Sequence, residues 1–200
     1  LKAVSNDTDR PRSPYAAMFR QGAILVPRRL MFVETGPASP LGAGAGRESV
    51  VSRTTRQDKV PWRVEPLQAN VGTEFIYPVL MGESIAPFRV VRPLRAVLPI
   101  AGSVLLSDDE ARGAAGLAGW WDQAERVWRE YRKESESAPL CDRIDFHGQL
   151  SAQLAADRSV RVVYAASGNS IAAAVTTDPL TIVEHGLYWA PTERDRKSVV

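Results

Sequence analysis

The sequence has little of the chemistry that metal proteins and most enzymes need. Its 200 residues include one cysteine, Cys141, and two histidines, His147 and His185. One cysteine cannot form an internal disulfide, which fits a reducing compartment such as the cytoplasm. The chain contains no CxxC, HExxH or HxH spacing, so we expect no metal site, structural or catalytic.

Long apolar segments are also missing. No apolar run reaches membrane-spanning length and no signal peptide is recognisable, so we expect a soluble chain with no membrane partner. Ser84 lies in the segment GESIA at 82–86, which lacks the second glycine of a nucleophile elbow. No other residue combines a nucleophile with a base and an orienting group, so the sequence predicts no catalytic residue.

What is present is the composition of an ordinary globular chain. Hydrophobic residues make up 44% of it and charged residues 24%, and this length suits one large domain or two small ones. The chain begins at Leu1 rather than methionine and ends in an apolar Ser-Val-Val after a charged run. We therefore expect a fragment of a longer protein.

Positive charge is concentrated in the first half of the chain. Residues 1–100 carry 14 Lys and Arg against 8 Asp and Glu, and residues 101–200 carry 11 against 15. Arginine supplies 21 of the 25 basic residues, and guanidinium groups suit bidentate contacts to phosphate and guanine. Scattered surface arginines would explain the same counts, so charge alone does not decide the partner.

The chain divides into a short lead-in and one long domain. Residues 1–18 are polar and contain Pro11 and Pro14, which predicts a linker, and residues 19–200 form the domain. Residues 23–34 read as a strand interrupted by Pro27. Residues 35–60 are rich in glycine and then in basic residues, and we expect a flexible loop there.

The second half carries the clearest helix and the clearest hairpin. Apolar residues recur on one face of a helix at about 115–136, and they are expected to pack against a sheet rather than stack on nucleic-acid bases: Leu117, Trp121, Ala124, Trp128 and Tyr131. Residues 158–177 read as a hairpin with a Gly168-Asn169 turn. The fold class is therefore α+β, with a mixed, mostly antiparallel twisted sheet and one long amphipathic packing helix.

Several segments, in their order, resemble a known family. RQGAILVPRRLMFVE at 20–34 and YPVLMGESIAPFR at 77–89 are followed by YAASGN at 164–169, IAAA at 171–174 and EHGLYWA at 184–190. Together they are similar to the C-terminal target-recognition region of N6-adenine DNA methyltransferases from restriction–modification systems. The resemblance covers most of the chain, from about Phe19 to Trp189.

The resemblance implies DNA recognition without catalysis. In the family, a separate N-terminal domain binds S-adenosylmethionine and methylates a flipped adenine. The Asn-Pro-Pro-Tyr or Asp-Pro-Pro-Tyr motif of that domain is absent here, and no glycine-rich cofactor loop occurs. The implied partners are double-stranded DNA and the catalytic methyltransferase domain, in a bacterial cytoplasm, with no cofactor in this fragment.

The candidate DNA-binding residues follow from the basic and small polar segments. Arg28 and Arg29 are adjacent, so in a strand they point to opposite faces and only one meets DNA directly. Gly22 permits close backbone approach to a ligand. The full candidate set is Arg20, Gln21, Arg28, Arg29, Arg53, Arg56, Lys59, Ser167 and Asn169.

Two other functions remain open on the sequence alone. The chain could instead be a structural or protein-interaction domain of the same restriction–modification protein, with little DNA contact of its own. It could also be an unrecognised small-molecule enzyme, which would need a deep pocket with converging polar groups.

Overall fold

The computed structural model of the chain describes residues 16–37, 42–55, 58–167 and 172–192. The α-helices in these ranges are α1 (Arg28–Met31), α2 (Asp108–Gly113), α3 (Ala118–Tyr131), α4 (Leu140–Ile144) and α5 (Gln149–Ala155). Short 3-10 turns lie at Ala16–Met18, Thr73–Phe75, Gly82–Ser84 and Phe146–Gly148. The strands are β1 (Arg20–Gln21), β2 (Phe32–Thr35), β3 (Arg47–Ser52), β4 (Gln68–Gly72), β5 (Ile76–Leu80), β6 (Ile85–Ala86), β7 (Arg89–Val90), β8 (Leu94–Val97), β9 (Ile100–Ala101), β10 (Val104–Leu105), β11 (Arg161–Ala165), β12 (Ala173–Thr176), β13 (Ile182–Val183) and β14 (Leu187–Pro191).

Two sheets organise the molecule. The larger has six strands in the order β13-β5-β8-β2-β3-β4, and all its pairs are antiparallel except β13 with β5. The smaller has four antiparallel strands in the order β1-β14-β11-β12. The strands β6 and β7 form a hairpin of their own, as do β9 and β10. The predicted α+β class with mostly antiparallel strands is confirmed.

Helix α3 packs its aromatic face into the larger core. Leu117, Trp121, Ala124 and Trp128 are all buried, as their spacing predicts, whereas Tyr131 at the end of the predicted stripe is only half-buried. Trp120 is buried too, and its indole N–H donates to the carbonyl of Leu30 at 3.0 Å. The packing role of the long helix is therefore confirmed, although the helix is shorter than the predicted 115–136.

The predicted strand at 23–34 is wrong over its middle. Residues 28–31 form the single turn α1, and only Phe32–Thr35 continues as a strand. A strand would point alternate side chains to opposite faces, but Arg29, Leu30 and Met31 are consecutive and all buried. A helical turn lets these three neighbours reach the core together.

The segment 35–60 is not a continuous loop, because it contains β3. Val50 and Ser52 are buried while Val51 between them is only half-buried, which is the alternation of a strand. β3 pairs with β2 on one side and β4 on the other. The local glycines predicted a loop, and the two neighbouring strands impose a sheet instead.

The two strands of the late hairpin are where the sequence predicts them, and its Gly168-Asn169 turn lies outside the described residues. β11 and β12 pair antiparallel, with Tyr164 opposite Ala173, and β14 adds to β11 on its other side. The Ser107 hydroxyl accepts from the backbone N–H of Glu110 at 3.3 Å, and the Glu110 carboxylate accepts from the Ser107 N–H at 2.8 Å. This is a capping box at the start of α2.

A close crossing of two backbones joins the sheets. The N–H of Gly22 donates to the carbonyl of Leu187 and that of Ala23 to the carbonyl of Val183. A Cβ on Gly22 would lie 2.3 Å from the Glu184 carbonyl oxygen. Gly22 is therefore required by approach to the chain's own backbone, which corrects the expectation that it makes room for a ligand.

Among the residues that the structure describes, no helix has the length and apolar character needed to cross a membrane.

Candidate nucleic-acid interface

The main candidate site is a basic cleft of about 570 Å³ beside α1 and the end of α3. Its basic lining residues come from five separate parts of the chain: Arg28 and Arg29, Lys59, Lys133, Arg143 and His185. Its acidic lining residues are Asp58 and Glu136, and its apolar wall includes Trp62, Trp128 and Tyr131. We refer to it below as the basic cleft.

The two lysines are the cations most available to a ligand. Lys59 and Lys133 are both exposed. Among the described residues neither has an acidic partner within ion-pair distance, in contrast to Arg143, whose Nε lies 3.0 Å from Glu136 Oε1. An unpaired ammonium group meets an incoming phosphate without first breaking a contact within the protein.

Arg29 has a structural role. Its side chain is only 5% exposed, and Nη1 lies 3.7 Å from Asp58 Oδ2. It also donates to the carbonyl oxygen of Val64, and Asp58 in turn accepts from the backbone and hydroxyl of Thr55 at 3.0 and 2.9 Å. Arg29 therefore holds the segment that carries Lys59 against α1.

Arg28 and His185 share one buried carboxylate. Glu184 is 1% exposed, and its Oε1 lies 2.9 Å from Arg28 Nη2 and 2.6 Å from His185 Nδ1. Burial by itself raises the pKa of Glu184, but the contacts with His185 and Arg28 and the Gly186 N–H outweigh it, and the pKa is lowered. Glu184 is therefore a fixed anion that holds both basic groups at the cleft.

Stacked aromatic rings form one wall of the basic cleft. The indoles of Trp62 and Trp128 are nearly parallel, with centroids 5.5 Å apart and planes at 11°. Tyr131 meets Trp62 at 6.4 Å in an edge arrangement. Trp128 is buried and Trp62 is half-exposed, so the core anchors an indole that solvent also reaches.

Of the two candidate residues of β1, Gln21 reaches the rim of this cleft through His185, and Arg20 lies over Trp189 instead. Gln21 is exposed, and its side-chain amide donates to the carbonyl of His185 at 3.1 Å. Arg20 is exposed as well, with its guanidinium 6.0 Å from the centroid of the Trp189 ring. The structure thus brings four predicted residues to the cleft or its rim, namely Gln21, Arg28, Arg29 and Lys59.

The remaining candidate residues lie elsewhere. Arg53 is held between Glu34 at 3.7 Å and Glu83 at 3.1 Å, and it does not line the cleft. Ser167 is exposed just beyond the end of β11. Arg56 and Asn169 lie outside the described residues.

The sequence analysis missed Lys133, Arg143, Trp62 and His185 as members of this site. Lys133 carries the only usable signal, because it follows the aromatic stripe in sequence, two residues after the end of α3. The other three come from segments without a periodic pattern, and only the folded chain brings them together.

A second hollow of about 240 Å³ is lined by residues that include Glu48, Tyr77 and Arg95. Arg95 Nη2 lies 2.5 Å from Glu48 Oε2, and the Arg95 guanidinium lowers the pKa of Glu48. Because its two charges neutralise each other, this hollow offers an anionic ligand less than the basic cleft does. Within the described ranges, no group of three or more His, Cys, Asp or Glu side chains is arranged to hold a metal ion.

No protein-family model matches the chain, and a comparison with curated proteins gives no match.

Proposed function

We propose that this chain is the DNA-binding, sequence-recognising domain of an N6-adenine DNA methyltransferase. The observation that supports the proposal most directly is the basic cleft, where Lys59 and Lys133 stand without acidic partners among the described residues beside stacked aromatic rings. Cations contact the phosphate backbone in any sequence, so a cleft with two unpaired lysines suits a DNA strand.

The proposal keeps catalysis in another domain. S-adenosylmethionine and the flipped adenine belong to a catalytic methyltransferase domain of the parent protein, in the bacterial cytoplasm. This chain contributes the grip on the duplex and the reading of its target sequence. A cleft of this volume takes a stretch of sugar–phosphate backbone rather than a whole duplex.

The basic residues are expected to contribute unequally to the affinity for DNA. Lys59 and Lys133 face solvent without partners in the described part of the chain, so they should carry the salt-dependent part of the affinity. Arg29 is neutralised by Asp58 and Arg53 by two glutamates, so their loss should change the salt dependence less. Arg28 is half-exposed and remains tied to Glu184.

A salt titration of duplex binding tests the proposal. Fluorescence anisotropy with a labelled duplex gives the slope of log affinity against log salt for the chain of residues 1–200. Each lost phosphate contact lowers that slope by about 0.9, so a Lys59→Ala/Lys133→Ala variant should lower it by about 1.8. Arg47→Ala/Arg126→Ala is the matched control, because it removes two exposed charges that do not line the cleft.

Two outcomes would contradict the proposal. If the slope of log affinity against log salt is the same for the lysine variant and its control, the basic cleft does not contact the DNA phosphates. No binding of the wild type to any duplex would favour the alternative, a structural or protein-interaction domain of the same protein. Sequence reading is tested separately by enrichment from a random duplex pool, which should yield one preferred motif.

A further inference from the structure

The turn between β6 and β7 places a phenylalanine side chain in solvent, away from either hydrophobic core. Phe88 follows Pro87 and has a φ of 65°, the left-handed region that glycine enters freely and a side chain with a Cβ rarely occupies. Its side chain is 95% exposed. Among the described residues, His147 is the only other non-glycine residue with a positive φ.

The hairpin under this ring is firmly held. Ile85 belongs to the smaller hydrophobic core, and Val90 is partly buried against it. The N–H of Phe88 donates to the carbonyl of Ala173 at 2.7 Å, and the N–H of Val91 donates to the carbonyl of Ser84 at 2.9 Å. An apolar ring in water on a strained but anchored backbone is the kind of outlier from which a function is inferred.

The surroundings of Phe88 suit a polyanion. Arg89 and Arg92 flank the ring in sequence and both are exposed. Neither has an acidic partner among the residues that the structure describes. Ala173, which accepts the hydrogen bond from Phe88, pairs with Tyr164 close to the end of β11, and the candidate DNA contact Ser167 lies just beyond that end.

We propose that Phe88 is a wedge that inserts between neighbouring base pairs of the bound duplex. Apolar side chains that enter a base step unstack it partly and kink the DNA, and flanking arginines hold the adjacent phosphates. Arg89 and Arg92 take that second role here. The ring stands in solvent, and the backbone hydrogen bonds to Ala173 and Ser84 anchor the turn that carries it. This inference rests on the proposed DNA-binding function and adds a second contact to it, apart from the basic cleft.

The test measures distortion of DNA as well as affinity. The enriched duplex described above carries 2-aminopurine at successive adenine positions and a dye at each end. Binding of the wild-type chain should raise 2-aminopurine fluorescence at one base step and shorten the distance between the ends. Phe88→Ala should abolish both signals and weaken binding by about 5- to 150-fold, the range for loss of one aromatic–base stack. The salt slope should stay the same, because no charge is lost.

Two further variants separate insertion from misfolding. Phe88→Gly relieves the backbone strain, so its thermal unfolding midpoint should stay level or rise while the DNA distortion is still lost. Val104→Ala removes another exposed apolar side chain, on β10 and 64% exposed, and should leave both DNA signals unchanged.

The outcomes distinguish the Phe88 wedge from the proposed DNA-binding function on which it rests. If Phe88→Ala retains the fluorescence change and the affinity, the wedge is overturned, while the lysine salt effect still supports DNA binding. Insertion is also overturned if Phe88→Ala weakens binding but the wild type causes no rise in 2-aminopurine fluorescence. If no duplex binds the wild type, both proposals fail, and Phe88 is then better explained as an anchor for a protein partner.

Discussion

Single residues decide how much of the positive charge reaches solvent. Arg28 and Arg29 are neighbours in sequence, yet the Arg29 side chain is 5% exposed against Asp58 and the Arg28 side chain is 33% exposed against Glu184. The sequence predicts that only one of the pair meets a ligand. The structure shows only that the two differ in exposure, which a helical turn and not a strand produces, and contact with a ligand stays a prediction.

The first prediction concerns the contribution of Glu184 to stability at acid pH. The pKa of Glu184 is lowered from its ordinary value of 4.5 in the folded chain. Its contribution to stability is therefore present above that value and is lost as the pH falls through the lower, folded value. As the pH falls below 4.5, the urea midpoint of Glu184→Gln should therefore fall less steeply than that of the wild type.

The control for this measurement is Glu65→Gln, which removes an exposed carboxylate and should keep the wild-type pH dependence. If the urea midpoint of Glu184→Gln falls with pH as steeply as that of the wild type, the Glu184 carboxylate does not contribute to stability through Arg28 and His185.

At the scale of elements, α3 both builds the core and supports the basic cleft. Trp128 is 2% exposed, its indole N–H donates to the carbonyl of Ala138 at 2.9 Å, and its ring stacks on Trp62. Lys133 follows two residues after the end of the helix. The helix thus supplies Trp128 and Tyr131 to the aromatic wall of the cleft and leads directly into one of its cations.

Replacing Trp128 by alanine should therefore cost about 3–5 kcal/mol in the free energy of unfolding, the range for a large buried aromatic. Guanidinium denaturation measures it. Arg126→Ala on the exposed face of the same helix is the control and should stay within about 0.5 kcal/mol of the wild type. A cost for Trp128→Ala as small as that of the control would mean that the indole is not part of the core.

Elements also show where sequence reasoning works and where it does not. The aromatic stripe of α3 and the alternation of β11 and β12 are signals carried within one segment, so they predict the element directly. α1 and β3 lack such a signal. Leu30 becomes helical because it reaches the core beside Trp120, and β3 exists because two other strands flank it.

At the scale of the whole molecule, two sheets with separate cores are joined at the crossing of Gly22 and Glu184. The basic cleft lies on one side of that joint, since Arg28 and His185 both contact Glu184. The Phe88 turn packs on the smaller sheet through Ala173. The proposed interface with DNA therefore has one contact region on each sheet system.

A further prediction follows from the proposed separation of recognition and catalysis. The chain of residues 1–200 should neither bind S-adenosylmethionine nor methylate DNA by itself, because the proposed function assigns the cofactor site to a separate catalytic domain. Calorimetry with the cofactor should give no saturable heat, while duplex DNA titrated into the same sample should. Tight binding of the cofactor would falsify this assignment of roles.

The sequence by itself determined the α+β class, the packing face of α3, the capped start of α2 and the late hairpin, because each is encoded by residues close together in the chain. Only the tertiary structure decided which basic groups are free. The Arg28–Glu184 contact joins residues 156 positions apart, and Lys59, Lys133, Arg143 and His185 meet from separate segments. Charge pairing depends on distance in space, which local patterns do not encode, so the composition of the basic cleft appears only once the chain is folded.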